Sequence, residues 1–86
     1  MPTVSQFFGI SIRMYYDDHP PPHFHAYYGN DAVKIDIDTL SVLEGKLPRR
    51  ALALVLEWAA DHRDELLEDW RLAAAHQTLN PISPLE

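Results

Sequence analysis

The hydrophobic pattern of this chain changes period once, and that change limits the fold more than any other feature. From Val4 to about Asp38, apolar residues alternate with polar ones. Ile10, Ile12 and Met14 alternate with Ser11, Arg13 and Tyr15, and Val33, Ile35 and Ile37 alternate with Lys34, Asp36 and Asp38. Successive side chains of a strand point to opposite sides, so period two marks strands buried on one face. His23 to Tyr28 reads as a strand between these two. Gly29-Asn30-Asp31 supplies residues that tolerate positive φ, which pairs the third and fourth strands as a hairpin. Val4 to Phe8 reads as a short first strand with Gly9 at a bulge or bend. Leu40 to Leu47 gives a weaker signal, a short edge strand ending at Gly45.

From Pro48 onward the period is helical, and Pro48 suits a first helical turn because its missing N–H loses nothing there. At 100° per residue, Leu52, Val55, Leu56, Ala59, Leu66, Leu67, Trp70, Ala73 and Ala74 form one stripe, with Leu54, Trp58 and Leu72 on its flank. One unbroken helix of about 27 residues would be ~40 Å long, more than so small a domain can cover. Arg63 falls in mid-stripe, where burial is costly, so a kink or break is expected near Asp61-His62. Asn80 to Glu86, with Pro81 and Pro84, reads as an extended tail. The expected architecture is α+β in a single domain over residues 1–86. A three- or four-stranded antiparallel sheet, strands within 4–38, is covered on one face by a C-terminal helical segment over 48–76, with Leu66 and Trp70 packed on Ile12, Ile35 or Ile37.

Composition narrows the functional classes. Thirteen acidic residues against seven Lys and Arg give a net charge of −6, which disfavours generic nucleic-acid binding, since that depends on clustered cations. Lys46, Arg49 and Arg50 form the one basic cluster and read as a solvated helix entrance. Cysteine is absent, which fits a reducing compartment. No signal-peptide pattern and no apolar run near the roughly 20 residues of a membrane span is seen. The expectation is a cytoplasmic protein with no membrane association.

The chemistry is concentrated in His19-Pro20-Pro21-Pro22-His23-Phe24-His25, which holds three of the five histidines and directly follows Asp17-Asp18. His23 and His25 lie two apart on a strand and share a face. The stiff proline segment is a rigid arm that could return His19, or the carboxylates of Asp17 and Asp18, to the same place. Neutral imidazoles with carboxylate suit a divalent transition metal such as Zn, Mn, Ni or Fe(II). The competing reading is that these histidines hydrogen-bond an irregular loop and cap a sheet edge. Asp36 and Asp38 read as the solvent face of a strand. A second signal is an acidic ridge opposite the apolar stripe, formed by Glu57, Asp61, Asp64, Glu65 and Glu68, which could meet a basic partner.

Phe8-Gly9-Ile10, Met14-Tyr15, the His19 to His25 block, Glu44-Gly45-Lys46-Leu47-Pro48, Glu57-Trp58, His62-Arg63-Asp64-Glu65-Leu66, Trp70 and Pro81-Ile82 before Pro84-Leu85 together resemble a small bacterial family called domain of unknown function 4160. The likeness covers essentially the whole chain. It carries no established activity and transfers no catalytic residues. The resemblance implies a free-standing bacterial protein encoded beside another small protein, sometimes labelled toxin-antitoxin-like or regulatory. The leading expectation is therefore an interaction module with a small protein partner encoded nearby, self-association being allowed. The alternative is a metal-dependent hydrolase or nuclease built on His19, His23 and His25.

Overall fold

Five strands lie side by side in the same order as in the chain, each antiparallel to the next, in a computed structural model that describes residues 2–86. They are β1 (Thr3–Phe7), β2 (Ile10–Arg13), β3 (His23–Tyr28), β4 (Asp31–Asp36) and β5 (Val42–Lys46), followed by helices α1 (Arg49–Asp61) and α2 (Arg63–Ala74). The protein is thus α+β, with one strand more than the alternation predicts as the upper count. The additional strand is β5, whose pattern is hidden because every one of its residues is exposed. A bulge at Leu43 breaks its register with β4. Gly45, at φ +79°, lies so close to Ala32 that a Cβ would collide with the Ala32 carbonyl oxygen.

The β1–β2 turn is made by Phe8 and Gly9, both at positive φ (48° and 79°), as a two-residue type I′ hairpin requires. Between β3 and β4, Gly29 takes positive φ. One face of the sheet is apolar: Ile10, Ile12, Met14, Phe24, Ala26, Val33, Ile35 and Ile37 are buried in one cluster with Ala51, Val55, Trp58, Ala59 and Leu66 of the helices. The other face is left open by the helices except at its His23 end, where Trp70 of α2 reaches it. It presents two cross-strand rows, Arg13–His25–Lys34–Glu44 and Gln6–Ser11–Tyr27–Ala32–Lys46.

The helical segment breaks at His62, where φ is −125°, so α1 and α2 each bury their own stripe. This break corrects the single stripe. In α1 the buried residues are Ala51, Val55, Trp58 and Ala59; in α2 they are Leu66, Asp69, Leu72 and Ala73. Trp58 and Leu72, expected on the flank, are therefore core. Trp58 packs on Phe7 and Phe24 with ring centroids 5.4 and 6.1 Å away. Leu52, Leu56, Leu67 and Trp70 are only partly buried. Arg63 escapes burial, its Nε donating to the Ile37 carbonyl at 3.2 Å. The tail is bound rather than loose: the Ile82 N–H donates to Val4 O at 2.7 Å, Trp58 Nε1 to Ser83 O at 2.8 Å, and the Asn80 N–H to Asp69 Oδ1 at 2.8 Å. No helix among the described residues is long and apolar enough to cross a membrane.

Candidate metal centre

His23 and His25 point to the same side of β3 because they are two residues apart in a strand, and the β2–β3 loop brings Asp18 against both. Asp18 Oδ2 lies 2.9 Å from His23 Nε2 and 3.4 Å from His25 Nε2. One donor atom from each of the three residues falls within 4.8 Å of the others. The His23 ring is 2% exposed and is held at both ends. Its Nδ1 is 2.7 Å from the Pro21 carbonyl oxygen, and its face meets the Trp70 ring at 5.0 Å. A carbonyl oxygen only accepts, so Nδ1 carries the hydrogen and donates. In the neutral ring Nε2 then turns a lone pair towards the Asp18 carboxylate.

Asp18 is oriented by the His19 backbone N–H, which donates to its Oδ1 at 3.0 Å. Burial alone would raise its carboxyl pKa, but this N–H and the two imidazoles outweigh burial and hold it below the ordinary value. For His25, burial is the largest cause of a lowered pKa; Asp18 opposes it, while His23 and Lys34 add to it. Imidazole in its neutral form is the ligand form. Tyr15 sets its ring edge-on to His25 at 4.7 Å, and its hydroxyl is hydrogen-bonded to that of Tyr27. Burial, then the Tyr15 hydroxyl, pushes the Tyr27 phenol up to about 12. Arg13 lays its guanidinium over the Tyr27 ring, 4.5 Å from the centroid.

Of the five residues named as metal candidates, the fold brings Asp18, His23 and His25 together and leaves two outside. His19 is exposed beside the Pro20–Pro21 cis peptide. Asp17 is turned to the far side of the loop, where Oδ1 pairs with His76 Nε2 at 2.7 Å. The partner-binding candidates Glu57, Asp61, Asp64, Glu65 and Glu68 are all exposed on the helices. Two of them have local partners: Glu65 Oε1 meets His62 Nδ1 at 2.5 Å, and Glu68 accepts from Arg71. Asp36 has a structural task, its Oδ1 accepting the N–H groups of Asp38 and Thr39 to close the β4–β5 turn. The neighbours Arg13, Tyr15, Tyr27 and Lys34 escaped the reading of motifs. Period two places each on the open side, but only the register sets them beside His25.

Sheet and cluster define a small α+β protein with an open five-stranded antiparallel sheet and a two-histidine, one-carboxylate group at one end of its uncovered face. The chain belongs to the family described as domain of unknown function (DUF4160), whose model matches residues 9–71, a span that includes the whole cluster. No curated protein and no solved structure matches it.

Proposed function

We propose that this protein binds a divalent first-row transition ion through Asp18 Oδ2, His23 Nε2 and His25 Nε2. The observation that carries the reading is the carboxylate oxygen placed between two imidazole nitrogens, one of them with its hydrogen committed to Pro21. His23 Nε2 and the carboxylate, 2.9 Å apart, call for positive charge between them, an ion or a proton on Nε2 that the ion would displace. Two ligands about 2.1 Å from one ion at angles of ~90–110° are themselves ~3.0–3.4 Å apart, close to the two separations here. A second supporting feature is the Nδ1–H to carbonyl bond of His23, the usual outer support of a metal-bound histidine. Three protein ligands leave positions for water or another ligand, as in catalytic rather than structural ions.

Calorimetric titration with Zn(II) or Co(II) tests the proposal. One equivalent is expected to bind to the wild type and to His19→Ala, and none to Asp18→Asn or His25→Ala. Absence of binding to the wild type, or undiminished binding to the two ligand variants, overturns it.

A second reading, an interaction module for a small protein partner in the cytoplasm, draws support from surface outside the cluster. Phe8 is 61% exposed at a positive φ and borders an apolar cleft with Tyr28 and Leu54, and β5 exposes Val42 and Leu43 on an edge strand. Co-purification of a stoichiometric partner that Phe8→Ser releases would support it. A monomer that retains no partner from its native cell would remove it.

A further inference from the structure

The uncovered face gathers cations around the cluster although the chain as a whole is acidic. In the register of the sheet His25 stands directly between Arg13 on β2 and Lys34 on β4. A hollow of about 110 Å³ opens beside it, lined by His25, Ala32, Lys34, Glu44 and Gly45. Arg13 is held by stacking on Tyr27, while its Nε is enclosed without a hydrogen-bond partner. Lys34 has one exposed partner, Glu44 Oε2 at 3.2 Å, an ion pair of the kind that contributes little and exchanges readily.

We infer that the ligand of this centre is a phosphate group, bound to the ion at a position left free by the protein and flanked by Arg13 and Lys34. The inference rests on the metal reading above. With a divalent ion in place, Arg13, Lys34 and the ion outweigh Asp18, Glu44 and Asp36, the last opposite His23 and turned to the Asp38 and Thr39 N–H groups, so the centre keeps positive charge for an anion. Arginine presents paired N–H donors to phosphate oxygens, and lysine adds a mobile point charge. The buried side of the centre is closed by Trp70 on His23, so access is from the side of His25 and Asp18, both partly exposed. The phosphate is that of a small molecule. The rest of the exposed surface, with its acidic helices, repels a polyanion such as duplex DNA.

Inorganic phosphate titrated into the Co(II)-loaded protein, followed by the visible cobalt bands, tests this. Saturable change is expected, with acetate far weaker. Arg13→Gln and Lys34→Gln should each weaken phosphate about tenfold while the bands without phosphate keep their positions. Glu44→Gln, which frees Lys34, should tighten it severalfold. Cobalt bands indifferent to phosphate, equal response to acetate, or equal phosphate affinity in all variants overturns the phosphate assignment and leaves the metal reading standing. Failure of the wild type to take up Co(II) overturns both.

Discussion

The two faces of the sheet are made by the same strands and do opposite work. β3 is the clearest case: Phe24 and Ala26 are fully buried under the helices, while His25 and Tyr27, on the alternate positions, stay partly exposed among Arg13, Tyr15 and Lys34. The covered face stabilises the fold by removing apolar surface from water, and it tolerates little change of volume. The open face contributes little burial and can therefore carry charged and aromatic groups in fixed positions. A slip of one residue in register would exchange the two sets, so the packing under the helices also fixes where the histidines point.

The comparison is most exposed to failure at Trp58. Replacing it with alanine removes the largest buried side chain, its contacts with Phe7 and Phe24 and its bond to Ser83, and should cost about 3–5 kcal/mol in chemical denaturation. Tyr27→Ala on the open face should cost about 1 kcal/mol. Comparable losses at the two positions would erase the distinction between the faces. Next in size is the effect of metal. At a hundred times its dissociation constant, a bound ion should raise the unfolding free energy by about 2.7 kcal/mol, seen as a shifted thermal midpoint that His25→Ala abolishes.

At the turn joining β1 and β2, Phe8 holds a left-handed conformation that suits asparagine better than an aromatic residue. Phe8→Asn should stabilise the protein by about 1 kcal/mol, and a loss of stability in denaturant would mean that Phe8 has packing its exposure does not reveal.

The smallest expected effect sharpens the covered side, where Asp69 is the one fully buried acidic residue among the described residues. Its Oδ1 accepts the Asn80 N–H and its Oδ2 has no partner. Burial is the main cause of its raised pKa; the Asn80 N–H opposes it, and Glu68 and Glu65 add to the rise. A folded state that holds the proton more tightly than the unfolded chain gains stability at acid pH. That gain is lost as pH rises from the ordinary carboxylate value through the raised one. Asp69→Asn should therefore raise the thermal midpoint at neutral pH and flatten this acid-side dependence. A midpoint lowered at pH 7 would count against a destabilising charge.

Much of this was legible in the residues. Period two alone placed Ile10, Ile12, Met14, Val33, Ile35 and Ile37 on one face and set His23 and His25 on a common side, and the cost of burying Arg63 pointed to the break at His62. What the pattern hid has physical causes. Once the helix breaks, its two halves no longer share a phase, so Trp58 and Leu72 turn inward while Trp70 moves out to meet His23. β5 has no buried residue to give it a period. The adjacent Asp17 and Asp18 are chemically identical in sequence, and only the path of the loop sends one to the histidines and the other to His76.

The hydrogen bond from Ile82 to Val4 has a consequence for biosynthesis. β1 leaves the ribosome well before the segment around Ile82 that covers it. Until residue 82 emerges, the outer edge of β1 offers bare backbone donors and acceptors that any other extended chain could claim. A nascent chain stalled before Asn80 would thus present adhesive sheet edges on both sides, whereas a chain extended past Ile82 masks one of them.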